Sequence, residues 1–280
     1  MTETELFVIA SNIKTRWMAN FLIRQFWRIA KMKRKTSPIF LITQKKCGYI
    51  KKWLKSWEYC SMADRAASVL TRLKNQANLT GRAFQLCLQL FCQEEFLRRL
   101  AGSKYKNNLV LKGGHLIYCL TEFSSRPTVD IDFLARDTPN TIEALRDVLS
   151  TIIDTPTGND FILYEIKHIE IISIDKKYPG LSAVLQARIK NTKTPIKIDF
   201  GFGDLIYPED QMRTVPTQLN DFIAPLVKTY SLETVVAEKL DAILNLMEFS
   251  SRMKDYYDLC FLSVGFDLDG NQLRSLNKNF

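Results

Sequence analysis

The sequence predicts an α+β fold in which a mixed or antiparallel sheet with flanking helices is followed by a helical domain. Three observations carry this. Residues 129–134 (VDIDFL) and 194–204 (TPIKIDFGFGD) alternate apolar and polar residues, as half-buried strands do. Phe161 to Ile174 and Leu181 to Ile189 supply two more strands. Segments with helical spacing precede these strands between residues 63 and 102, and others follow them from Ser231 onward. The chain has 280 residues, 46% hydrophobic and 25% charged, enough for one large domain or two ordinary ones.

Composition removes several function classes. Only 11 Gly and 9 Pro occur, which excludes collagen-like and Pro/Gly-rich disordered chains. The six cysteines are irregularly spaced without a CxxC pair, and there are two histidines, so zinc ribbons, zinc fingers and His-based metal cages are excluded. No run of 18 apolar residues exists, so stable membrane insertion is not expected. The cysteine usage fits a reducing, cytoplasmic setting.

The net charge of +9 is unevenly held. Residues 1–61 carry 13 Lys or Arg against Glu3, Glu5 and Glu58, a net +10, whereas residues 62–280 carry 26 against 27. All four tryptophans, Trp17, Trp27, Trp53 and Trp57, also lie in the first stretch. Such a division separates a basic leader, 1–61, from the fold of the remaining chain. The leader is expected to be translated sequence upstream of a start at Met62. The alternatives are a membrane or nucleic-acid arm, since Met18, Phe21, Leu22 and Ile29 share a helical face among arginines, or a folded cap. Two further domains are expected, 62–204 with the sheet and 205–280 with helices.

Within the body, Ala63 to Ala77 has Ala66, Val69, Leu70 and Leu73 at helical spacing. Thr80 is placed to N-cap a second, largely apolar helix that stops near Gly102. Leu109 to Leu111 is a short apolar strand, and Gly113 and Gly114 turn it into a helix over His115 to Leu120. Glycines at a strand-to-helix turn let backbone N–H groups approach a triphosphate. On the strand from Val129 to Leu134, Asp130 and Asp132 share one face. Two carboxylates so placed repel, and are tolerated chiefly where a divalent cation lies between them. Taken singly, each signal also has an ordinary reading: turn punctuation or a solvated strand edge. In this order they match the nucleotidyltransferase pattern of strand, Gly-Gly, short helix and Asp-x-Asp strand.

A third carboxylate comes from TPIKIDFGFGD, where Asp199 falls on the face opposite Ile196 and Ile198. An antiparallel meander carrying Asp199 beside the Asp130/Asp132 strand accounts for the strands before it. SLETVVAEKLDAILNL then begins with Ser231 as N-cap and contains Glu238 and Lys239. In SSRMKDYYDLCFL, Arg252, Lys254, Asp255 and Asp258 occupy the first turns of a helix, with Arg252 three residues from Asp255 and Asp255 three from Asp258. In isolation these would be solvated charges on amphipathic helices.

LKGG with RPTVDIDF, IKIDFGFGD, ETVVAEKLDAI and SRMKDYYDL resemble, in order, the four motifs of the AbiEii/AbiGii-type nucleotidyltransferase toxins of bacterial toxin–antitoxin and abortive-infection phage-defence systems. The resemblance spans about residues 62–265. It implies a nucleotidyltransferase-like domain followed by a helical domain, which is shorter here than in relatives. It also implies metal-dependent transfer of a nucleotide from a nucleoside triphosphate to an RNA acceptor, tRNA in studied relatives, under control of a cognate antitoxin protein. Asp130, Asp132 and Asp199 would hold Mg²⁺ or Mn²⁺. Lys239 would face the triphosphate, and Asp255 would be the fourth-motif carboxylate, with Asp258 structural. Lys112, Gly113, Gly114, Arg126, Arg252 and Lys254 complete the expected nucleotide-binding set. Lys104 and Lys106, with Lys112 and Arg126, are candidates for steering RNA. Two rival readings follow from the same features: a shortened, inactive relative that retains only antitoxin binding, and a membrane- or RNA-binding protein driven by its basic leader.

Overall fold

The computed structural model describes residues 64–172, 179–203, 210–246 and 253–276. The expectations for the leader, residues 1–61, lie outside the described residues.

Helix α1 (64–80) buries Ala66, Val69 and Leu73, as their spacing predicts. Thr80, expected to cap the next helix, instead closes this one: its hydroxyl donates to the Gln76 carbonyl at 2.8 Å. Gly81, at φ +68, ends α1 in the left-handed conformation, which makes Thr80 a terminal residue of α1. Helix α2 (Phe84–Gly102) then starts after Ala83 with no side-chain cap.

The apolar core expected of α2 contains an ionic layer. Gln93, Glu94, Glu95, Arg98 and Arg99 are all buried, and burying charge requires partners. Glu95 accepts from Arg98 at 2.9 Å and Asn159 at 2.7 Å, and Glu94 accepts the backbone N–H of Gln218 at 2.7 Å. Arg99 donates to the Ile162 carbonyl at 2.7 Å. These bonds pin connecting loops to one helix. Gln93 donates to the Val129 carbonyl at 2.7 Å, so the residue just before Asp130 is fixed to the core.

The sheet has seven strands in the order β3-β4-β5-β2-β1-β7-β6. They are β1 (Leu109–Lys112), β2 (Asp130–Ala135), β3 (Ile162–Ile172), β4 (Gly180–Ile189), β5 (Thr192–Phe202), β6 (Gln211–Thr214) and β7 (Leu226–Thr229). The expected meander is present as β3, β4 and β5, all antiparallel, and β5 runs parallel to β2. With β1 antiparallel to β2 and parallel to β7, the sheet is mixed. Along β5, Thr194, Ile196, Ile198, Phe200 and Phe202 are buried, whereas Lys193 and Pro195 are exposed and Lys197, Asp199 and Gly201 half-buried. This period of two leaves β5 with an apolar face and a polar one. Helix α2 packs against β5, and α3 (Gly113–Leu120) against β1 and β2.

Helix α4 (Ile142–Ile153), which packs against β3, is an element not expected from the sequence analysis above. Its signals are local and clear. The Thr141 hydroxyl accepts from the Ala144 N–H at 3.2 Å, and Leu145, Val148, Leu149 and Ile152 form the buried stripe. Strands β6 and β7 lie beyond residue 204 yet complete the same sheet, so the sheet and the segment expected to be helical interlock. Four residues each, and without alternation in β6, they carry no strand signature. Helices α5 (Leu232–Leu246), α6 (Met253–Gly265) and α7 (Gly270–Leu276) follow. Ser231 caps α5, accepting the Thr234 N–H at 3.1 Å. Among the described residues no helix is long and apolar enough to cross a membrane.

Candidate active site

Strand register gathers the sheet residues of the site into rows. Asp132 is the cross-strand partner of Lys112 on β1 and of Asp199 on β5, and Asp199 is in turn the partner of Ser182 on β4. One row across four strands thus reads Lys112, Asp132, Asp199, Ser182. The next row sets Asp130 beside Lys197. All these side chains stand on one face, because cross-strand partners point the same way.

The row is held by hydrogen bonds. Asp199 accepts from the Ser182 hydroxyl at 2.6 Å and from the Lys197 ammonium at 3.0 Å. Lys112 donates to Glu238 of α5 at 2.5 Å, and its ammonium lies 5.4 Å from the centre of the Tyr230 ring. Asp132 is the electrostatic centre of the group. Burial, reinforced by the Asp199 charge, pushes its carboxyl up to about 6, against the opposing pull of Lys112.

Gly113 makes this packing possible. Its φ is +67, and a Cβ there would lie 2.2 Å from Oδ2 of Asp132. A Cβ on Gly114 would meet Arg126 at 3.3 Å and Thr128 at 3.4 Å. Gly113→Ala is therefore expected to cost about 1–2 kcal/mol in backbone strain alone and to displace the Asp132 carboxylate. Gly114→Ala should be milder, since Arg126 can yield at its tip. Parallel thermal melts and activity assays of the two variants test the difference; equal losses would contradict it.

A second group lies on the helices. Lys239 of α5 is 8% exposed and donates to Asp255 at 2.7 Å and Asp258 at 2.8 Å. Arg126 grips the buried Asp258 with two bonds, at 2.8 and 2.6 Å. The two groups are joined along α5, where neighbouring residues Glu238 and Lys239 hold Lys112 and the α6 carboxylates respectively.

The expected residues therefore fall into two sets. Lys112, Gly113, Asp130, Asp132 and Asp199 share the sheet face; Arg126, Lys239 and Asp255 share the helical network. Gly114 stands where they meet, against Arg126. Lys254 is exposed on α6, and Arg252 lies outside the described residues. Asp258, expected to be structural, is the residue on which Arg126 and Lys239 converge. Ser182 and Glu238 were not among the expected site residues. Lys197 had a signal, since it lies two residues before Asp199 on the same strand, as did Glu238, which adjoins Lys239 in the third motif; Ser182 had none.

Among the described residues, no three His, Cys, Asp or Glu side chains form a group able to hold a metal ion by themselves. The donor set nonetheless suits a hard cation. Mg²⁺ is commonly held by one or two carboxylates, with substrate phosphates completing its shell. Asp130 and Asp132 present that pair, Asp132 being desolvated and raised toward a proton-binding state that a cation would relieve.

Residues 95–279 match the family described as nucleotidyl transferase AbiEii toxin, type IV TA system. No curated protein matches the chain. Among solved structures, JHP933 from Helicobacter pylori is 18% identical with a TM-score of 0.45, over 70% of this chain and 76% of that one. An antigenic nucleotidyltransferase-like protein from Paracoccidioides brasiliensis is 13% identical, with a TM-score of 0.37 over 67% and 87% of the two chains. The structure of ANT(2″)-Ia in complex with adenylyl-2″-tobramycin is 15% identical, with a TM-score of 0.35 over 65% and 92%.

Proposed function

The chain belongs to the AbiEii nucleotidyltransferase toxin family of type IV toxin–antitoxin systems, and on that premise we propose that it transfers a nucleotide from a nucleoside triphosphate to an RNA acceptor, tRNA foremost. The observation that carries the reading is the row Lys112, Asp132, Asp199 with Asp130 beside it, built at a Gly-Gly turn whose first glycine, Gly113, leaves no room for a Cβ against Asp132.

Asp130 and Asp132 would hold the divalent ion, Mg²⁺ or Mn²⁺. When bound, the ion neutralises charge on the triphosphate oxygens. Asp199 is oriented by Ser182 and Lys197 and stands next to Asp132, placed to take the proton from the acceptor hydroxyl. The acceptor oxygen then bonds to the α-phosphorus as the bond to the β-phosphate oxygen breaks, and pyrophosphate leaves with the electron pair. Lys112, held by Glu238, places positive charge beside Asp132. Lys239 and Arg126, both engaged with Asp258, fix α6 and thereby Asp255 at the site's edge. Lys254, exposed on α6, would add positive charge for the triphosphate, the role the family resemblance also gives Arg252, which lies outside the described residues.

The protein would act in the cytoplasm, opposed by a cognate antitoxin. Modifying tRNA would stop translation, so expression of the chain in bacterial cells should arrest growth. A clone encoding Asp132→Asn should grow like an empty-vector control. Arrest by both forms would remove the carboxylate row from the explanation.

A further inference from the structure

The polar face of the sheet continues past the carboxylates, and its charge changes sign along β5. Cross-strand partners define the rows: Asp199, Ser182 and Glu170; Lys197, Val184 and His168; Pro195, Gln186 and Glu165; Lys193, Arg188 and Leu163. Arg188 and Lys193 are exposed, as is Lys190 in the turn joining β4 to β5. None of Arg188, Lys190 and Lys193 has an ion-pair partner among the described residues. On β3, Glu170 lies at the far end in the Asp199 row, and Glu165, one row from Arg188 and Lys193 and within reach of their charge, is paired with Lys167 at 2.7 Å. Lys197 forms the step between this cationic end and the carboxylates, bonded to Asp199 and beside Asp130. From Lys193 to Asp199 the strand advances six residues, about 20 Å at ~3.3 Å per residue.

The cations expected to steer RNA are placed otherwise. Lys112 and Arg126 are bound to Glu238 and Asp258. Lys104 lies by the Tyr105 ring in the turn leading into β1, whose opposite end carries Lys112 beside Asp132. Because residues 62–280 carry 26 basic against 27 acidic residues, any electrostatic attraction of the body for a polyanion has to be local.

We propose that the β4–β5 hairpin face, through Arg188, Lys190 and Lys193, is the track on which the RNA acceptor lies, its phosphates on these cations and its reacting end at Asp130 and Asp132. This rests on the reading of the chain as a transferase acting on RNA. A polyanionic chain fits better than an acidic protein patch, because the cations are strung along two strands and lead into the reaction centre. Phosphate contacts of this kind position the nucleic acid without reading its sequence.

The test uses the full chain and unfractionated, end-labelled tRNA. A photo-crosslinking amino acid is placed at Gln186, and in a second protein at Leu79, which is 88% exposed on α1. Crosslinking from position 186 should exceed that from 79 several-fold, and should fall several-fold when Arg188→Glu and Lys193→Glu are combined. The neutral pair Arg188→Gln and Lys193→Gln should give a smaller loss in the same direction, and guards against misfolding of the reversal. Each lost phosphate contact should also lower the log–log salt dependence of binding by about 0.7, so the neutral pair should lower it by about 1.4. Equal crosslinking at 186 and 79, or yields unchanged by both pairs, would overturn the track. Crosslinking at 186 without nucleotide incorporation into RNA by the unaltered protein would overturn the transferase reading while supporting the track.

Discussion

Asp132→Asn is expected to abolish nucleotide transfer while leaving the protein at least as stable as before. Loss of a carboxylate that would hold the cation is expected to remove several kcal/mol of charge stabilisation, roughly a thousandfold in rate at 1.36 kcal/mol per factor of ten. The stability side follows from the Asp132 carboxyl. It titrates near 6 in the fold against 3.8 for the ordinary group, chiefly because of burial. Between those values the folded state keeps a proton that the unfolded state has released, so stability falls as pH rises through the window and levels off above it. The ionised group costs the metal-free fold on the order of 3 kcal/mol above that window. Asparagine matches the shape beside Gly113 and carries no charge, so the variant should not show this fall. Urea unfolding of both proteins on either side of the window measures it; a variant less stable than wild type at the upper end would contradict the electrostatic account.

The largest expected loss of stability is at Lys239. Lys239→Met withdraws a buried ammonium from between Asp255 and Asp258, whose side chains are 14% and 1% exposed. Breaking a buried ionic network by removing one partner costs about 3–5 kcal/mol, and at 2–4 °C per kcal/mol for a body of this size the melting temperature should drop by about 6–20 °C. Arg72→Ala is the control. It removes an exposed pair with Asp221, side chains 38% and 53% exposed, which is worth about 1 kcal/mol at most. Similar melting shifts for the two variants would mean that the Lys239 network does not hold α6 in place.

Much of the sheet side of the site was legible in sequence because its signals are local. Gly113 and Gly114 follow an apolar strand, Asp130 and Asp132 are two residues apart, and alternation in 194–204 fixes the face of Asp199. The meander then supplies the register that sets Asp199 beside Asp132. The helical side was legible only as residue types. Lys112 and Glu238 meet across 126 residues of sequence, and Arg126 and Asp258 across 132. Periodicity says nothing about pairs so far apart. The motif order placed Lys239 and Asp255 in one site, and the structure joins them directly, with Asp258 as a second acceptor of Lys239. The charged layer of α2 was missed for a related reason: QEEFLRR has the composition of a solvated helix surface, and only the loops that bond to it show that it is buried. Strands β6 and β7 were missed because four-residue strands lack a periodic signal.

Nucleotide transfer by the carboxylate row is open to direct measurement. Its most direct measurement combines the protein with each α-labelled nucleoside triphosphate and unfractionated tRNA, with Mg²⁺ or with a chelator, and follows label in RNA together with released pyrophosphate. Equimolar RNA-linked label and pyrophosphate are expected with Mg²⁺, and neither with chelator or with Asp132→Asn. Absence of labelled RNA under every condition, or equal labelling by Asp132→Asn, would contradict transfer by the row.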